Sequence, residues 1–162
     1  KRIVVAAPPF SEHENGFNVW ITKTLLLAKE LSIPVKLICN KSTEKAIDKL
    51  IKKAKLSVKT NISLFSDWED FLVISRKIDK DDLLILVSAR KGAPSYIGVL
   101  DRMPSRLEKY FANNNRVIIY PQHINIYRTL EHYKGISSEP LHKGIEVAQK
   151  IGKGIGSVLK RN

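Results

Sequence analysis

A single cysteine, Cys39, excludes an internal disulfide in this 162-residue chain and suits a reducing compartment. No apolar run reaches the roughly 18 to 20 residues that a membrane-spanning helix needs, and the amino end enters a strand rather than a signal peptide. The chain is therefore expected neither to cross a bilayer nor to be secreted. Aromatic residues make up 7%, too few for a platform that stacks single-stranded bases, so nothing argues for nucleic acid as a partner. His13, His123, His132 and His142 lack the spacing of a metal site. No Gly-Lys-Ser/Thr ending and no dinucleotide-type glycine triplet occurs, and no nucleophile pairs with a base. The expectation is a protein without catalytic or metal-binding constellation, not an enzyme.

What is present is an ordinary globular composition, 43% hydrophobic and 27% charged. One domain of this length buries roughly two-thirds of its unfolded surface without staples. The formal charge of +12 leaves two readings open: an anionic partner, or lysines that keep helix faces solvated. The chain opens on Lys1 and enters a core-type strand by Ile3, as an excised fragment would.

Strands are predicted at Ile3 to Ala7, Val35 to Cys39, Val58 to Phe65, Leu83 to Val87 and Val117 to Tyr120, the last two as central or nearly central strands buried on both faces. Between them lie helices. Phe17, Trp20, Ile21, Leu25, Ala28 and Leu31 recur at helical spacing before Pro34. Ser42 or Thr43 caps the next helix, with Ala46, Ile47, Leu50, Ile51 and Ala54 inward and a lysine-rich outer face. Ser66 and Glu69 have the spacing of a capping box for a third. A short fourth, with Pro104 in its first turn, points Leu107, Tyr110 and Phe111 inward. Helical crossovers require parallel pairing, so the fold class is α/β, a three-layer sandwich around a five-stranded parallel sheet. Residues 1–122 form this domain. Residues 123–162 form a basic helical extension with three open readings: packing on the domain or on a second subunit, lying on an anionic membrane surface, or a disordered tail.

Ligands in such sheets sit beyond the carboxyl ends of the strands, where the strand order reverses. That edge offers a candidate anion-binding loop, Ser88, Arg90, Lys91, Gly92 and Ser95, facing Ala7 and Pro8. Glu12, Glu14, Asp101 and Glu108 are the carboxylates that reach toward it.

The stretch Asp81-Asp82-Leu83-Leu84-Ile85-Leu86-Val87-Ser88-Ala89-Arg90-Lys91-Gly92, then Ser95-Tyr96, Leu107, Tyr110-Phe111 and Val117-Ile118-Ile119-Tyr120-Pro121, resembles the universal stress protein-like domain at the cytosolic end of some bacterial sodium/proton antiporters of the cation:proton antiporter type. The resemblance covers residues 82 to 122; residues 3 to 81 match in layout only. It implies the strand order 3-2-1-4-5 and a regulatory or dimerising module, not itself catalytic. Its partners would be the transmembrane antiporter part of the same polypeptide, a second copy and an anionic membrane surface, at the cytoplasmic face of the inner membrane. Nucleotide-binding universal stress proteins end the first strand in an aspartate and follow the fourth with a glycine-spaced loop. This chain has Ala6-Ala7-Pro8 at the first place, and Gly92 and Gly98 are too far apart at the second. No cofactor is expected. ATP or AMP belongs to the alternative reading, a free-standing universal stress protein. A hydrolase of phosphorylated small molecules would have only Ser88 and Ser95 as nucleophiles.

Overall fold

The computed structural model describes residues 1–55 and 57–122. Five parallel strands, β1 (Ile3–Ala6), β2 (Val35–Cys39), β3 (Thr60–Leu64), β4 (Leu83–Val87) and β5 (Asn115–Ile119), form one sheet in the order β3-β2-β1-β4-β5. The expected fold class and strand order hold. β1 is central, with Ile3 opposite both Val35 and Leu83. Its sequence, Ile-Val-Val-Ala, is apolar at every position because both of its faces are covered.

Parallel neighbours need crossovers, and these supply the outer layers. Helices α1 (Phe17–Glu30) and α2 (Lys41–Ala54) pack with Ile3, Val5, Leu37 and Ile85 on one side of the sheet. On the other side, Val4, Ala6, Leu84 and Leu86 meet the 3-10 segment Trp68–Lys77, the 3-10 turn Gly98–Arg102 and helix α3 (Met103–Tyr110). Alternation along each strand thus divides the core into two apolar layers.

At the amino ends of the strands, Asp82 is buried and ties three segments together. Its carboxylate accepts from Arg2 Nε at 2.9 Å, from the Arg2 backbone N–H at 3.1 Å and from the Asp79 N–H at 3.0 Å. Asp82 of the resemblance motif therefore closes a turn at the end of the sheet opposite the ligand edge, while Asp81 is exposed.

Several local expectations are corrected. Val117 to Tyr120 is not a strand buried on both faces: β5 is the edge of the sheet, starts at Asn115 and leaves Val117 44% exposed. An apolar run reports burial on at least one face and does not tell an edge strand from an inner one. The cap of α2 is neither Ser42 nor Thr43 but Asn40, whose Oδ1 accepts from the Thr43 N–H at 2.8 Å. The Ser66 and Glu69 box gives way to Asp67, which accepts from the Asp70 N–H, and the segment that follows is a kinked 3-10 helix. Tyr110 is exposed rather than inward, as is Ala54. The basic extension expected over residues 123–162 lies outside the described residues.

Candidate functional site

The carboxyl edge of the sheet is built first from the loop between β1 and α1. Ala7 continues the strand by donating its N–H to the Ile38 carbonyl at 2.9 Å, and Ser11 Oγ donates to the Pro8 carbonyl at 2.6 Å. The two prolines force the chain to leave the sheet, and Phe10 turns it through the left-handed region at φ 66°, with its ring 55% exposed. The loop then places two carboxylates on opposite sides of the crevice. Glu12 Oε2 accepts from Thr43 Oγ1 at 2.6 Å, at the first turn of α2. Glu14 Oε1 accepts from both the N–H (3.0 Å) and the Oγ (2.6 Å) of Ser95, in the loop after β4.

The place where strand order reverses is thereby stitched shut by the protein's own acids. Glu14 is 5% exposed and Ser95 0%, so this contact is buried and charge-assisted, the strong class of hydrogen bond. An N–H and a hydroxyl from one residue, aimed at one anionic oxygen, are the donors a phosphate would take. Here an internal carboxylate takes them. Gly16 completes the closure from below: a Cβ there would come within 2.7 Å of the Gln122 backbone nitrogen, so only glycine lets the start of α1 approach the exit of β5 this closely.

The candidate anion loop is pulled three ways. Ser88 is buried, and its N–H donates to the Ile119 carbonyl at 2.8 Å as an extension of the sheet. The Arg90 guanidinium donates to the Pro121 carbonyl at 3.3 Å and lies 5.1 Å from the centre of the Tyr120 ring. Lys91 lies 3.8 Å from Asp101, whose carboxylate also accepts from the Tyr96 hydroxyl at 2.7 Å. Gly92 has φ 86°, a turn conformation that favours glycine with or without a ligand. The structure thus brings Ser95 to Glu14, Arg90 to the exit of β5 and Lys91 to Asp101, while Ala7 and Pro8 are buried just past the end of β1. Of the other carboxylates, Asp101 holds Tyr96 and Lys91, and Glu108 is exposed on α3.

Burial by itself raises the Glu12 carboxyl, but hydrogen bonds from Ser42 and Thr43 outweigh it and hold the group below its ordinary value. Cys39, at the end of β2, is pushed up to about 12 by burial and by the acids around it, which leaves an unreactive thiol. The hydrogen bond to Asp101 raises the Tyr96 phenol.

Two grooves flank the same side of the sheet. One, about 400 Å³ and almost wholly apolar, runs between α1 and the edge strand and is lined by Val19, Trp20, Leu27, Val117, Ile119 and Tyr120 among others. The buried Trp20 Nε1 in its wall has no hydrogen-bond partner among the described residues. The other, about 580 Å³, lies between α1 and α2 and mixes Phe17, Ala46 and Leu50 with Lys49 and Lys53.

Neither the Glu14–Ser95 pair nor the Gly16 contact is visible in a motif. The residues of the pair are 81 positions apart, and the only signal that joins them is topological: both loops leave adjacent strands at the same edge. The exposed Phe10 in a left-handed position has no sequence mark beyond the preceding Pro8-Pro9. No group of three or more histidines, cysteines and acids that could hold a metal ion occurs among the described residues, and none of their helices is long and apolar enough to cross a membrane. No protein-family model matches the chain, and no curated protein matches it.

Proposed function

We propose that this domain is the cytosolic regulatory or dimerising module of a sodium/proton antiporter, a binding element rather than a catalytic one. The observation that carries the reading is the Glu14–Ser95 contact, which sets an internal carboxylate between the loops that follow β1 and β4 and ties the two together. A nucleotide-binding member of the resembling family needs that crevice open, with a first-strand acid and a glycine-spaced loop. A module that acts by its surfaces does not. The resemblance over residues 82 to 122 supplies the transporter, and those residues form one continuous unit of β4, its following loop, α3 and β5.

Contact between copies draws support from the edge strand. Among the described residues β5 has a strand partner on one side only, Val117 and Tyr120 are each 44% exposed, and the apolar groove beside them continues onto α1. Exposed edges of this kind are either covered or used. Sedimentation of the chain over a range of concentrations tests this part, and a strictly monomeric species at the highest concentration would remove it.

The decisive experiment for the assignment is to read the coding sequence upstream of Lys1. A multi-helix membrane segment in frame is the expected result; its absence would overturn the antiporter reading. The alternative, a free-standing protein that binds ATP or AMP, is separated by thermal shift, since a ligand held by the native state raises its apparent stability. The expected result is no shift at millimolar nucleotide.

A further inference from the structure

The two sides of the sheet carry charge unequally. Helices α1 and α2 hold seven lysines, two on α1 and five on α2, against the three acids Glu30, Glu44 and Asp48. The elements Trp68–Lys77, Gly98–Arg102 and α3, on the opposite side, hold five cations and four acids. On that opposite side Arg102 lies 3.4 Å from Glu69 and Arg106 donates to the Glu69 carbonyl, while Arg76, Lys77 and Lys109 make no salt bridge among the described residues. On α2, Lys41 pairs with Glu44, whereas Lys45, Lys49, Lys52 and Lys53 make no salt bridge or side-chain hydrogen bond among the described residues.

These lysines are also placed in order. Successive helical turns put Lys41, Lys45, Lys49 and the Lys52-Lys53 pair along one stripe of α2. Lys49 and Lys53 line the groove between α1 and α2, whose remaining wall includes Phe17, Ala46, Leu50 and Ala54, with the one acid, Glu12, held by Thr43. Asn18 and Thr22 line it from α1, and one further turn along that stripe stands Leu26, 42% exposed. A cationic row thus runs beside apolar surface on the same side of the molecule.

The chemistry of the cations selects the partner. α1 and α2 carry no arginine at all. Arginine is the residue that grips a defined carboxylate or phosphate with a planar fork, whereas lysine is a point charge on a long apolar stem. A row of unpaired lysines over apolar surface suits a diffuse sheet of negative charge, where heads reach phosphates and stems lie on hydrocarbon. We propose that the α1–α2 face docks on an anionic phospholipid bilayer, with Lys45, Lys49, Lys52 and Lys53 over the headgroups and Leu26 toward the acyl boundary. The proposal rests on the reading of a domain that works beside a membrane, and it names the face that would meet it.

The test is co-sedimentation of the 162-residue chain with phosphatidylglycerol-containing vesicles and with pure phosphatidylcholine vesicles, at low and high salt. The expected result is binding to the anionic vesicles alone, weakened by salt. Lys45→Gln, Lys49→Gln, Lys52→Gln and Lys53→Gln together are expected to lower partitioning by roughly 600-fold, at about fivefold per lysine. A matched variant, Arg76→Gln, Lys77→Gln, Lys80→Gln and Lys109→Gln, removes the same charge from elsewhere and is expected to keep most of the binding. Equal loss in both variants would reduce the effect to net charge and overturn the docking face. Retained binding in the α2 variant would overturn it too, by assigning the contact to another segment, and no binding by the unaltered chain would remove it outright in favour of an acidic protein partner. Vesicle binding without a membrane segment in the upstream coding sequence would leave this proposal standing and remove the antiporter assignment; the reverse pattern would remove the docking face alone.

Discussion

The crevice at the carboxyl edge and the outer face of α2 are both rich in polar groups, and they treat those groups in opposite ways. In the crevice, Glu14 and Ser95 satisfy one another in a buried contact, and Glu12 engages Thr43 at the start of α2. On α2, four successive lysines project from the fold with no partner among the described residues. The difference reflects the cost of burial. An unpaired group inside the protein costs about 1 to 3 kcal/mol, a cost the Glu14–Ser95 contact avoids for the Ser95 N–H and hydroxyl. A lysine in water costs nothing to leave unpaired, so the face can be kept for something outside the chain.

The sharpest way to break this contrast is to open the crevice. Glu14→Ala removes the acceptor and leaves the Ser95 N–H and hydroxyl buried without a partner, and is expected to destabilise the domain by about 3 kcal/mol in denaturant unfolding. Glu14→Gln keeps an acceptor oxygen but loses the charge, and should cost about half as much. If Glu14→Ala unfolded at the same denaturant concentration as the unaltered protein, the contact would not hold the two loops together. Gly16→Ala comes next, at about 2 kcal/mol, because the added carbon must displace backbone rather than a side chain.

These contacts also mark where sequence reasoning stops. The strands β2 and β4 are legible to the residue, since Val35–Cys39 and Leu83–Val87 are apolar runs with clear ends, and parallel order follows from the helices between them. Edge and centre are not legible, because Val117 to Ile119 is as apolar as a central strand and only the count of neighbours distinguishes it. Asn40 does not stand out as the cap in the sequence because Ser42 and Thr43 offer the same chemistry two and three residues later. In the crevice, the sequence identified Ser95 and Glu14 separately, as an anion-binding donor and as a carboxylate near the edge. It could not say that each is the other's partner, because a donor awaiting a ligand and a donor already satisfied have the same side chain.

The Glu12 side of the crevice sharpens the comparison with pH. Thr43→Val removes the hydroxyl that Glu12 accepts and is expected to cost about 1 kcal/mol at neutral pH. Because the Glu12 carboxyl is held below its ordinary value in the fold, its contribution is present above the unfolded value and is lost as pH falls through the folded one. The gap between Thr43→Val and the unaltered protein should therefore be full at pH 7 and narrow below about pH 4. A gap that widened in acid would mean that the fold favours the protonated acid instead.

The smallest expected effect is the most telling about the lysine face. Replacing Lys45, Lys49, Lys52 and Lys53 by glutamine removes no described contact and substitutes one good helix former for another, so α2 should stand unchanged. Relief of repulsion between neighbouring cations should even offset the loss of favourable charge at the helix carboxyl end. The change in stability of the four together is expected to lie within about 0.5 kcal/mol of zero. A loss as large as that of Glu14→Ala would mean that these lysines are satisfied inside the chain, and the difference between a closed crevice and an open face would vanish. Stability that stays put while vesicle binding falls would separate the two roles: carboxylates that hold the fold together, and lysines that the fold can do without.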